Sequence, residues 1–328
     1  MTTRAPQATP VLPDVYRLDC PFGEGGLVHV YYLAAPEPAL IDTGVRASAG
    51  EVIAPALAAA GLRLDEVRYI FNTHGHWDLM GGNSAVRRLA PRARTCVHAA
   101  DRRYLDDLSA HTEGYITYAA RLTGDRQVLA QTQALVSRAI DCPTPVDLTV
   151  TDGQVFDLGG EWRLRAIHTP GHSLGSTSYL LEGAGALFTG DGVQGLGSRP
   201  GQLPLIFDDS RAYRATLVKL ADLSFEAICL GHSFCGLGSV SGREPVRRGP
   251  AARQFLEESG EAAKAVEEAM RSVLNADPEA GFLAVARATL AVVAGPLGVD
   301  LDDQGLNVRS MATLHAFYRE LTGAPPPS

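Results

Sequence analysis

The sequence contains no long apolar run and no basic run. No stretch of its 328 residues approaches the roughly 20 apolar residues of a membrane-spanning helix, so no membrane partner is expected. The opening "MTTRAPQATPVLPD" is polar and proline-rich, without the apolar centre of a secretory signal. Acidic residues outnumber basic ones, 37 against 29, for a formal charge of −8. A general nucleic-acid binder needs a basic face, so nucleic acid is not expected as a partner. Cysteine is scarce and odd in number: Cys20, Cys96, Cys142, Cys229 and Cys235 show neither metal-type pair spacing nor a disulfide framework. The expectation is a cytoplasmic protein with free thiols.

What is present is ordinary for a globular chain, 45% hydrophobic and 20% charged. Short apolar runs alternate with turns and helical patterns through the first third. "LVHVYYLAA" and "PALIDTG" read as strands, "SAGEVIAPALAAAGL" as a helix and "EVRYIFNT" as a strand. Strand–helix–strand order predicts an α/β architecture. Residues 101–142 carry no strand-like run and read as a helical insertion. From 146 short strands return ("DLTVTDG", "QVFDLGG", "WRLRAIHTPGH", "TSYLLEG", "ALFTGDG"), predicting a second sheet, with "FEAICLGHS" as the last strand. After 249 the pattern predicts three helices, and the proline-rich ends "APQATP" and "GAPPPS" are expected to fray. This division gives a catalytic unit over 12–248 and a helical extension over 249–328.

Groups able to bind metal recur just after the predicted strands. His74, His76 and Asp78 lie in "NTHGHWDLMGG", His172 in "HTPGHSLGS", Asp191 in "FTGDG" and His232 in "CLGHS". Ligands from several strand ends can converge on one point. His74, His76 and His172 would make a nitrogen-rich face with one position open, as in catalytic zinc sites. Asp78, Asp191 and His232 would make a second, oxygen-richer face, with Asp191 able to bridge two ions. Buried histidines satisfied by backbone occur singly, whereas here four histidines and two aspartates share this setting.

This arrangement resembles the metallo-β-lactamase superfamily: His-x-His-x-Asp-His, a His in a Thr-Pro-Gly-His turn, an Asp in a Gly-Asp turn and a final Gly-His, with "LIDTG" upstream. The resemblance spans about residues 12–235 and departs at Leu79, where most members place a second-metal histidine. It implies a four-layer αββα sandwich carrying the helical insertion and the C-terminal extension. It also implies zinc, two divalent ions per chain, with manganese or iron admitted at the second site because Leu79 removes a nitrogen. A single zinc is the alternative.

The implied activity is a metal-dependent hydrolase in which a metal-activated hydroxide, assisted by Asp78, attacks an ester, thioester, lactone or similar bond of a small or medium organic molecule. Hydrolysis of an activated aryl ether, a di-iron redox enzyme and a non-catalytic subunit are the other readings. Asp42 is either a group that orients a ligand imidazole or a turn residue capping its own backbone. His29 and His168 read as packing histidines, Tyr104, Tyr115 and Tyr118 as core aromatics of the insertion, and Trp77 as a pocket wall. The helical segments either roof the pocket or form a homo-oligomer interface, with a different subunit as a further possibility.

Overall fold

The computed structural model describes residues 5–23, 25–124, 126–237 and 242–325. Two sheets face one another. The first runs in sequence order, β1 (Ala8–Leu12), β2 (Val15–Phe22), β3 (Gly26–Leu33), β4 (Ala39–Ile41), β5 (Tyr69–Phe71), β6 (Arg94–His98) and β7 (Leu148–Val150). Strands β1 to β4 pair antiparallel, and β4 to β7 pair parallel. The second contains β8 (Val155–Asp157), β9 (Arg163–His168), β10 (Thr177–Leu181), β11 (Ala186–Gly190), β12 (Ala227–Leu230) and β13 (Val246–Arg248), with only β11 and β12 parallel.

Burial explains why these strands read as continuous apolar runs rather than alternating ones. Both faces of each sheet are covered, so side chains of both parities are apolar. In β3, Val28, Val30 and Tyr32 face an outer cluster with Ile53, Leu57 and Val86, while Tyr31 and Leu33 face the space between the sheets. In the second sheet Tyr179, Phe188 and Cys229 point inward, and Leu180, Leu187 and Ile228 point outward. The outer face of the second sheet is covered by helices Ser210–Ala221, Pro250–Ala276, Phe282–Leu297 and Met311–Thr322. The result is the expected αββα order.

Four details depart from the sequence reading. "DLTVTDG" supplies β7 of the first sheet rather than opening the second, because its strand pairs parallel with β6. "APQATP" is not frayed throughout: β1 begins at Ala8 and is held along β2. The strand Val246–Arg248 follows the one read as last and pairs antiparallel with β12. The first helix starts as a π-helical turn, Ala49–Ile53, before its α-helical part, Ala54–Ala59. Short segments of three residues carry too little pattern to register as strands.

The three C-terminal helices share one hydrophobic cluster with the second sheet: Phe255, Val266, Leu290, Leu314 and Phe317 pack with Leu187, Ile228 and Leu230. They also fix the loop that follows β11. Ser310 Oγ accepts from Leu203 N at 3.1 Å, Thr313 Oγ1 accepts from Ile206 N at 2.9 Å and donates to Pro204 O, and Asn307 Nδ2 donates to Gly201 O at 2.7 Å. The insertion forms helices Arg102–Asp106, Ser109–Glu113, Tyr118–Thr123 and Arg126–Ala139. Its buried residues Tyr104, Leu105, Tyr115 and Val136 pack against Trp77 and Met80, beside the first predicted ligand loop. The side chain of Tyr118 lies outside the described residues.

Candidate metal centre

All six predicted ligands follow strands that end at one edge of the two sheets. His74, His76 and Asp78 follow β5, His172 lies between β9 and β10, Asp191 follows β11 and His232 follows β12. All but Asp78 are buried, and Asp78 is intermediate. The ligand atoms of His74, His76 and His172 lie within 4.8 Å of one another. His76 Nδ1 and His172 Nε2 are 2.8 Å apart. Asp191 Oδ2 stands between the two faces, 3.6 Å from His172 Nε2 and 3.7 Å from His232 Nε2, and Asp78 Oδ2 is 3.2 Å from His232 Nε2.

The rings are held with defined nitrogens free. Thr73 Oγ1 donates to Asp42 Oδ2 at 2.8 Å, so the 3.1 Å contact from His74 Nδ1 places the ring proton on Nδ1. His74 Nε2 then carries a lone pair, and it has no hydrogen-bond partner although buried. His172 Nδ1 donates to Leu205 O at 2.5 Å, which directs its Nε2 lone pair into the cluster. His232 Nδ1 donates to Leu27 O at 2.9 Å. Asp191 Oδ1 is also buried and unpartnered. Orphaned buried acceptors are costly, on the order of 1–3 kcal/mol each, unless something supplies the missing charge. Three imidazoles and adjoining carboxylates in this state fit a divalent cation.

The electrostatics agree. Burial, then the neighbouring His172, pulls His74 and His76 well below the ordinary imidazole range, leaving them neutral as ligands require. Burial raises Asp191. Burial opposes the charge on Asp78, but the hydrogen bond and charge of His232 bring its carboxyl below the usual range. His232 is penalised by burial, yet Asp191 and Asp78 together push it up to about 9.

Two glycines make the close approach possible. Gly190 has φ +50°, and a Cβ there would collide with the Thr73 side chain. A Cβ on Gly231 would stand 2.8 Å from Asp191 Oδ1.

Residues 24–232 match the family model of the metallo-beta-lactamase superfamily. The chain belongs to that superfamily. It is 32% identical over 186 residues to the lactamase-like protein adaB of Aspergillus niger, covering 56% of this chain and 43% of that protein. To the lactamase-like protein aptB of Emericella nidulans it is 29% identical over 168 residues, covering 44% and 52%. The chain therefore spans about half the length of the curated relatives it matches. Among solved structures, a metallo-beta-lactamase family protein of Thermus thermophilus superposes with a TM-score of 0.69 at 24% identity, covering 97% of this chain and 98% of that one. A metallo-beta-lactamase of Cronobacter sakazakii described by its HARLDQ motif superposes with a TM-score of 0.58 at 21% identity, covering 81% and 99%.

Within this superfamily fold Asp42 does not cap its own backbone. It accepts from Thr73 N and Thr73 Oγ1, both at 2.8 Å, and Thr73 Oγ1 in turn lies 3.1 Å from His74 Nδ1. The Asp42 backbone has φ 59°, and burial pushes its carboxyl up to about 8 against the two hydrogen bonds from Thr73.

Leu79 is fully buried in the outer cluster with Leu18, Val28, Leu40 and Val86. Leu79→His is therefore expected to cost about 2 kcal/mol by burying an unpaired imidazole, without raising metal content. Thermal denaturation with metal analysis checks this, and a gain of one metal equivalent would show that the ring reaches the second face.

The remaining histidines are engaged with other partners. His168 stacks on His98 at 4.1 Å and donates to Leu174 O, and His111 donates to Tyr104 O. His315 packs on Phe282. His29 bonds to Asp19 and Ser233.

The sequence did not disclose the supports of the site. Asp101, buried at the start of the insertion, accepts from Gly75 N at 2.8 Å, Ser173 Oγ at 2.6 Å and Gly175 N at 2.9 Å. One carboxylate thus ties the His74–His76 loop to the His172 loop. Tyr115 stacks on His76 with ring centroids 3.6 Å apart, and Phe207 meets His76 and His172 edge-on at 5.3 and 5.4 Å. The Tyr115 hydroxyl accepts from Trp77 N at 2.9 Å and is 3.0 Å from His111 Nδ1, so it is committed to this network. Trp77 is a buried member of the same cluster, with its ring 5.6 Å from Phe22.

Proposed function

We propose that the protein is a metal-dependent hydrolase of activated acyl bonds, with thioesters and esters of small or medium organic acids as its substrate class. The observation that carries this reading is the convergence of His74, His76 and His172 with two buried acceptor atoms, His74 Nε2 and Asp191 Oδ1, left without partners. Two relatives support the acyl class. The chain is 37% identical over 90 residues to the thioesterase pkgB of Emericella nidulans and 44% identical over 71 residues to the atrochrysone carboxyl ACP thioesterase AgnL7 of Paecilomyces divaricatus.

In this reading His74, His76 and His172 would hold one zinc ion, and Asp78, Asp191 and His232 would hold a second. Bound there, such ions supply Lewis acidity to a carbonyl and acidify water. The chain's own groups do the rest. Thr73 and Leu205 O keep two imidazoles in the ligand tautomer. Asp78, beside His232, is placed to take a proton from water and return it to the leaving group. Tyr115 and Phe207 shield the rings of His76 and His172 from water. Catalysis resides in residues 12–248, and the helices of 249–328 support it by fixing the Leu203–Ile206 segment.

Metal analysis of protein purified without added metal tests the reading, together with a chromogenic ester and thioester panel. The expected result is two colourless divalent ions per chain, with hydrolysis abolished by a chelator and restored by zinc. Iron with visible charge-transfer bands, or hydrolysis indifferent to chelation, would overturn it.

A further inference from the structure

One hydrogen-bonded chain next to the metal-ligand cluster has no part in the metal-centred chemistry. Asp19 and His29 are directly opposed residues of β2 and β3. His29 Nδ1 is 2.7 Å from Asp19 Oδ1, and His29 Nε2 is 2.9 Å from Ser233 Oγ. Arg17 grips the same carboxylate with two of its donor nitrogens, Nε to Oδ1 at 2.7 Å and Nη2 to Oδ2 at 3.1 Å. Ser233 follows His232 directly in the chain and is half-buried, while His29 is 2% exposed.

The proton positions follow from the partners. Asp19 between Arg17 and His29 is ionised, its carboxyl held at about 2 although burial opposes this, so it only accepts. His29 Nδ1 must then carry a proton. Burial keeps His29 below the usual imidazole range, so the ring is neutral and its Nε2 is an acceptor. Ser233 Oγ therefore donates to Nε2. Carboxylate to Nδ1–H, and Nε2 to a serine hydroxyl, is the arrangement by which a weak hydroxyl nucleophile is activated.

We propose that Asp19, His29 and Ser233 form a serine nucleophile relay beside the metal-ligand cluster, taking acyl groups from activated esters and thioesters. Ser233 Oγ adds to the acyl carbonyl carbon as its proton passes to His29 Nε2. The bond to the leaving oxygen or sulfur breaks, the leaving group takes that proton from His29, and the acyl group remains as an ester on Oγ. Water then adds to this ester carbonyl, giving its proton to Nε2, and the acid departs as Oγ recovers the proton. Asp19 stays ionised throughout and stabilises the imidazolium formed in each half. No oxidant, reductant or further co-reactant is needed. This activity is separate from the metal-centred one.

A fluorophosphonate probe tests it, because the reaction bonds Ser233 Oγ to phosphorus with loss of fluoride and needs the same proton transfer. The intact chain is treated with the probe, and the modified peptide is located by mass spectrometry. One adduct on Ser233 is expected, formed roughly 100-fold or more slowly in His29→Ala and in Asp19→Asn. Asp19→Asn preserves the shape of a half-exposed side chain, and circular dichroism reports whether each variant is folded. An unmodified Ser233, or labelling of folded Asp19→Asn at the rate of the unaltered protein, would overturn the proposal and leave the three residues as a latch between β3 and the His232 loop. The adduct reports on Ser233 alone, whereas chelation and metal analysis report on the histidine cluster. Either reading can thus fail without the other.

Discussion

Asp191→Ala is expected to lower hydrolysis of a responsive ester or thioester by on the order of 1000-fold, the equivalent of several kcal/mol of transition-state stabilisation. Metal content should fall with it, because Asp191 Oδ2 lies near both His172 and His232. The metal-free fold should not weaken. Asp191 is a buried carboxyl whose Oδ1 has no partner and which burial raises, so its removal relieves a desolvation cost that offsets the loss of its charge beside His232. Thermal denaturation of the metal-free variant is expected to match the unaltered protein within about 1 kcal/mol. Full activity with intact metal content would sink the bridging assignment. A large loss of metal-free stability would instead make Asp191 a structural residue.

Asp101→Asn should behave in the opposite way. The side chain keeps its size, but an amide presents donors where Gly75 N, Gly175 N and Ser173 Oγ all need acceptors. Leaving buried donors unsatisfied costs roughly 1–3 kcal/mol for each group that cannot turn to another partner. A loss of about 3 kcal/mol is expected, a fall in Tm of about 5 °C for a chain of this size. Because the carboxylate joins the two loops that carry His76 and His172, metal affinity should also weaken by roughly 10- to 100-fold. Calorimetry and metal titration on the same preparation check both effects. Unchanged metal affinity in a destabilised variant would show that the two loops hold their positions without the clamp.

These two residues also mark what could and could not be seen in the chain. Asp191 was legible because a small-residue turn directly after an apolar run places a carboxylate at a strand end, and the other five predicted ligands share that setting. Asp101 was not. It lies at the start of a segment without strands, among other polar residues, and its partners are Gly75 N, 26 positions away, and Ser173 Oγ and Gly175 N, more than 70 positions away. Tyr115 read as a core aromatic, and it is one, but the core it joins is the wall of His76. His29 read as a packing histidine because its partners, Asp19 on the neighbouring strand and Ser233 some 204 positions along the chain, meet only through strand register and the closing of the two sheets.

The sequence by itself determined an α/β architecture with two sheets, the helical character of the insertion and C-terminal extension, and the identities of the clustered histidines and carboxylates, while the αββα layering came from the family resemblance. Local periodicity, turn chemistry and ligand type are properties of neighbouring residues, and they survive without the rest of the chain. Only the tertiary structure decided which sheet receives Leu148–Val150, how β13 closes the second sheet, where Leu79 points, and which nitrogen of each ring is left free. Those outcomes depend on partners tens to hundreds of residues apart, brought together by packing of both faces of two sheets, and no local pattern encodes such distances.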